Sequence, residues 1–123
     1  MTRKTYGKKN PNLPFYPAVR AGDFVFVSGQ VPKDADGDMF SGTIEEETKC
    51  CIEALRRTLK EAGADLDDVV KATVYLEDAR DFGRYNRVFG EHFPKAMLAR
   101  TTVEARAVIA TRIEIDAIAY KPE

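Results

Sequence analysis

The chain has 123 residues, 44% of them hydrophobic and 32% charged, with a formal net charge of −1. That length suits a single domain, 1–123, with a real core, and the nearly cancelled charge gives no electrostatic ground for a nucleic-acid partner. No apolar run approaches the ~20 residues of a membrane span, and the polar, basic stretch 1–10 lacks the apolar region of a secretory signal, so a cytoplasmic protein is expected.

Pro11, Pro14, Pro17, Gly22, Gly29 and Pro32 punctuate the first third of the chain. Between them, residues 24–30 are β-branched and aromatic and read as a buried strand, with 18–21 as its hairpin partner across Gly22-Asp23. Residues 33–42 are polar and read as a loop. Thr43 and Glu46 stand at capping-box spacing. Beyond them Cys51, Ile52, Leu55, Leu59 and Ala62 recur at helical intervals, and Gly63 suits a helix end, which predicts a helix over 44–62. Residues 69–77 alternate, with Val70, Ala72, Val74 and Leu76 on one side and Lys71, Thr73 and Tyr75 on the other. Asp78 can cap a second helix over 79–93, striped by Phe82, Tyr85, Phe89 and Phe93 and ended by Pro94. Two further strands are expected over 99–106 and 112–120.

The order β-β-α-β-α-β-β implies an α+β fold with crossovers, some parallel pairing and two helices on one face of a mixed sheet. The other face is expected to carry Lys71, Thr73, Arg100, Thr102, Glu104, Arg112, Glu114 and Asp116 with Tyr75, Ile118 and Tyr120, a mixture suited to solvent or to a subunit interface.

The sequence is poor in cofactor chemistry. Cys50 and Cys51 are adjacent, too strained to pair with each other and without metal-ligand spacing, so they read as reduced thiols on a helix. His92 is the one histidine, which leaves no zinc cluster and suits a residue near a helix C-terminus. Gly22, Gly29 and Gly37 make neither a phosphate loop nor a dinucleotide motif. A carboxylate and an arginine remain. The fork of Arg100, at the start of a strand, suits a carboxylate ligand, and Glu114 can act as a general base or acid if burial raises its pKa. If the last two strands form a hairpin near Val108-Ile109, Arg100 faces Ile118 and Glu104 faces Glu114. Arg100 and Glu114 then share a face about 13 Å apart. One ligand reaches both only if a bulge shifts the register or a second subunit supplies one of the pair.

Several segments follow in a telling order: Val27-Ser-Gly-Gln-Val-Pro32, Asp68-Val-Val-Lys-Ala-Thr-Val-Tyr-Leu76, Asp81-Phe82 with Tyr85-Asn86, Ala99-Arg-Thr-Thr-Val-Glu104 and Ile113-Glu-Ile-Asp-Ala-Ile-Ala119. From about Phe15 to Tyr120 the chain resembles the RidA family, also called YjgF or endoribonuclease L-PSP. The resemblance implies a chorismate-mutase-like α+β fold, a homotrimer with active sites between subunits, and cofactor-free hydrolysis of 2-imino and enamino acids, such as 2-aminoacrylate, to 2-oxo acids and ammonia. It implies that Arg100 clamps the substrate carboxylate, that Glu114 positions the water, that Ser28, Gly29 and Asn86 line the cleft, and that Thr102 offers a backbone carbonyl near the water. Phe15, followed by Tyr16, stands where many members have a tyrosine that closes over the ligand. Leu98 replaces a frequent proline, and 106–111 lacks the usual Leu-Pro turn, which implies a larger or more apolar pocket. A non-catalytic carboxylate-binding trimer on the same scaffold is the alternative, and a ribonuclease or translation inhibitor a further one.

Overall fold

A computed structural model describes residues 2–123. Six strands form one sheet in the order β1-β2-β3-β6-β4-β5. They are β1 (Arg3–Tyr6), β2 (Ala18–Ala21), β3 (Phe24–Gln30), β4 (Val69–Leu76), β5 (Ala99–Glu104) and β6 (Ile113–Tyr120). All neighbours are antiparallel except β4 and β5, which run parallel. Two helices, α1 (Ile44–Glu61) and α2 (Phe82–His92), complete the expected mixed α+β architecture. Strand β1 was not anticipated. Its four residues are mostly exposed and basic, so they lack the apolar alternation that marks a strand, and only pairing with β2 defines them.

Helix α1 begins as its sequence dictates. The Thr43 hydroxyl accepts from the Glu46 N–H at 3.2 Å, and the Glu46 carboxylate accepts from the Thr43 N–H at 2.9 Å. The helix closes on Gly63, whose φ of +80° is accessible to glycine at little cost. The Ala64 N–H then reaches back to the Leu59 carbonyl at 2.9 Å. Ile52, Leu55 and Leu59 are completely buried against Val74, Ile113 and Ile115 of the sheet. The second helical segment starts as a single 3-10 turn, Ala79–Asp81, with the Asp78 carboxylate accepting from the Arg80 N–H, before α2 proper.

Two expectations about the sheet are corrected. Val70 is exposed and Val69 takes its place in the core, because the β4–β6 register shifts between Val69 and Lys71 and resets the alternation. More consequentially, β5 and β6 do not form a hairpin. Strand β6 lies between β3 and β4, and β5 pairs with β4 as the sheet edge, placing Arg100 beside Ala72 and Thr102 beside Val74. Ala72 and Val74 are fully buried under the helices, and laterally paired residues share a face, so Arg100, Thr102 and Glu104 lie on the helix side rather than the open one. Arg112 precedes β6, and its guanidinium donates to the Gly42 carbonyl at 2.7 Å, beside the buried Glu47. Glu114, Asp116, Tyr75, Thr73 and Lys71 do lie on the open face, opposite the buried set Ile113, Ile115, Ala117 and Ala119.

Candidate active site

The candidate residues separate into two clusters on opposite faces. The first is built on α2 and the edge strand β5. The Arg100 guanidinium carbon sits 4.8 Å from the ring centre of Phe89, 5.2 Å from Tyr85 and 5.8 Å from Phe82. Three rings at helical spacing on α2 thus hold one cation by its attraction to their π faces. Tyr85 is fully buried, and burial pushes its hydroxyl pKa up. That hydroxyl lies 2.7 Å from Thr102 Oγ1, which ties the strand to the helix. Among the described residues no carboxylate forms an ion pair with Arg100, which leaves a planar double donor without an anionic partner. Asn86 follows Tyr85 on α2 and is exposed beside this cluster. The Ala105 N–H bonds to the Leu76 carbonyl. By strand alternation, the Arg100, Thr102 and Glu104 backbone groups therefore point off the open edge.

The second cluster lies in a cleft of about 810 Å³ on the open side, whose lining includes Phe15, Ser28, Gly29, Gln30 and Glu114. Between Val27 and Gln30 the β3–β6 register gains one residue, a bulge formed by Ser28 and Gly29. The Ser28 hydroxyl donates to the Tyr16 carbonyl at 2.7 Å, and its N–H to the Pro17 carbonyl at 2.9 Å. Tyr16 therefore acts here through its backbone, and the cleft wall takes the Phe15 ring, which is half exposed. Gly29 is where Glu114 needs space. A Cβ at this position would stand 1.9 Å from Glu114 Oε2 and 2.9 Å from its Cδ, so any side chain here would push the carboxyl group out of this position. Burial, and then the neighbouring charge of Asp116, raise the Glu114 pKa above the ordinary glutamate range. Asp116 is in turn held by the Tyr75 hydroxyl, which donates to it at 2.9 Å.

Phe15, Ser28, Gly29 and Glu114 therefore share one cleft, whereas Arg100, Asn86 and Thr102 belong to the other cluster. Arg100 pairs with Ala72, which pairs with Ala117, three residues from Glu114. Two strand spacings of about 4.8 Å, some 10 Å of offset along the strand and opposite faces separate the two groups within one chain. Reading the residues did not find the cleft's other walls. Gln30 is fixed by Thr58, whose hydroxyl donates to its side-chain oxygen at 3.2 Å, and Val108 and Ile109 arrive from the β5–β6 connection. A polar residue after a Ser-Gly bulge was the only signal for Gln30, and nothing local marked the connection.

An α+β fold thus carries an arginine at a sheet edge and a half-buried carboxylate beside a bulge. Residues 7–121 match the family described as Endoribonuclease L-PSP, and the chain belongs to that family, which includes the RidA/YjgF proteins. A RutC family protein of Pyrococcus abyssi is 46% identical over 113 residues, spanning 90% of this chain and 89% of that protein. A mouse protein named 2-iminobutanoate/2-iminopropanoate deaminase is 37% identical over 110 residues, spanning 88% of this chain and 82% of that one. The crystal structure of RidA from the Antarctic bacterium Psychrobacter sp. PAMC 21119 superposes with a TM-score of 0.84 at 28% identity, covering 95% of this chain and 98% of that one. Among the described residues no helix is long and apolar enough to cross a membrane.

Proposed function

We propose that this protein hydrolyses reactive 2-imino acids and their enamine tautomers to 2-oxo acids and ammonia, in clefts between the subunits of a homotrimer. The observation that carries the reading is the division of the site. Arg100 is ready to grip a carboxylate and Glu114 to handle a proton, yet each faces away from the other within one chain. A neighbouring copy that lays its β5 edge over the Glu114 cleft brings the two together. The mouse relative's name supplies the reaction class.

The chemistry asks little of the protein. Arg100 holds the substrate carboxylate through two parallel N–H donors. Glu114 accepts a proton from a water whose oxygen attacks the iminium carbon, forming the C–O bond. Glu114 then returns that proton to the amino group, the C–N bond breaks with its electron pair leaving on ammonia, the carbonyl forms, and the proton released by the hydroxyl passes to that ammonia to give ammonium. One iminium carboxylate and one water thus become one 2-oxo acid anion and one ammonium ion. An iminium carbon is already electrophilic, so orientation and proton transfer suffice, and no cofactor takes part.

The test generates imines with an amino-acid oxidase in the presence of semicarbazide. Wild-type protein should slow semicarbazone formation by draining the imine, and Arg100→Ala should lose about 100-fold or more of that effect in kcat/KM. Equal rates with wild type, Arg100→Ala and no protein overturn the reading. Thermal stabilisation by pyruvate with hydrolysis at background would identify a carboxylate-binding trimer instead. RNA cleavage that disappears with Arg100→Ala would point to a nuclease.

A further inference from the structure

We propose that the cleft beside Glu114 selects imines carrying a bulky aliphatic side chain, such as the imine of leucine, over that of alanine. This inference rests on the deaminase reading and specifies the substrate class of the same site. The cleft, about 810 Å³ in one chain before a neighbouring copy lies over it, is roomier than a methyl side chain needs. An alanine-derived imine offers it a single methyl group.

Much of the lining is apolar. Leu13 and Phe15 come from the segment before β2, Val31 from the end of β3, and Val108 and Ile109 from the β5–β6 connection. Leu13 is 42%, Phe15 51% and Ile109 50% exposed, so three chain segments converge on one carboxylate and leave their hydrocarbon uncovered. These residues share the cleft with Glu114, so any neighbouring subunit that closes over it must keep the carboxylate reachable by substrate. A substrate held beside that carboxylate therefore shares the cleft with this apolar lining. Burying additional methylenes against it favours the larger imine, each at roughly tenfold or more in kcat/KM. Lys8 and Lys33 also line the cleft, which makes an acidic side chain the natural competitor.

The experiment compares imines generated by matched oxidases from alanine, leucine and aspartate at equal flux, with semicarbazide as the trap. The leucine-derived imine should be hydrolysed with a kcat/KM at least about tenfold above the alanine-derived one. Ile109→Ser and Leu13→Ser, both at half-exposed positions where folding tolerates the change, should each lower that ratio. Equal rates for alanine and leucine, or a preference for aspartate, overturn this inference and leave the deaminase reading standing. Failure to accelerate any of the three overturns both.

Discussion

Glu114 binds its proton more tightly in the folded chain than in the unfolded one, because burial and Asp116 raise its pKa. The stability linked to this group is therefore complete below the ordinary glutamate value and is lost as pH rises through the raised one. Glu114→Gln removes the charge that resists burial. Its Tm should exceed that of the wild type near pH 7 and match it at about pH 3, well below the ordinary glutamate value, where the glutamate is protonated in both states. The same substitution should lower kcat about 100- to 10,000-fold, the usual worth of a positioned base. A variant with unchanged Tm at both pH values would show that the carboxyl group is not desolvated. In the wild type, kcat/KM should fall as acidification protonates Glu114. Asp116→Asn removes the like charge and should carry that fall to lower pH.

Gly29 admits one further residue-scale test. A methyl group there would meet Glu114 Oε2 at 1.9 Å, so Gly29→Ala must displace the carboxylate. The chain should stay folded, since Gly29 is exposed, while kcat/KM drops about 100-fold from misplacement of the base. Wild-type kinetics in this variant would mean that Glu114 has another productive position.

At the scale of elements, α1 shows what local chemistry determines. Thr43, Glu46 and Gly63 mark its ends by side-chain and backbone preferences that act over three or four residues, and the structure uses all three. Thr43→Ala removes the acceptor for the Glu46 N–H and should cost about 1 kcal/mol in chemical denaturation. A loss of well under ~0.5 kcal/mol would show that Glu46 alone secures the helix start. The alternation of β6 was equally legible, because each of its residues faces either core or open side. The partner of β5 was not. Its sequence permits a hairpin with β6 as readily as a parallel edge beside β4, and the choice depends on β3 occupying the other flank of β6, a contact nearly ninety residues away in sequence. The side of the sheet carrying Arg100 follows from that choice. So Arg100 and Glu114 stood out as candidates through residue chemistry and the family resemblance together, while their placement on opposite faces could not be read. Val70 misleads for a related reason, since a one-residue register shift exchanges it with Val69 and leaves no mark in composition.

At the scale of the whole molecule, a site assembled from two copies makes a prediction that no single-chain site can meet. Arg100→Ala keeps a sound Glu114 cleft, and Glu114→Gln keeps a sound Arg100 edge, because the two clusters share no contact among the described residues. Each variant alone should form inactive trimers. When the two are unfolded together, mixed in equal amounts and refolded, each cleft draws its arginine side and its glutamate side independently. The chance that both are intact is one half times one half, so about a quarter of wild-type activity should return. Activity should also track the mixing ratio as the product of the two fractions, with its maximum at equal amounts. If the refolded mixture stays inactive while native mass measurements show mixed trimers, Arg100 and Glu114 do not complement each other across a subunit boundary, and the two-copy site is overturned.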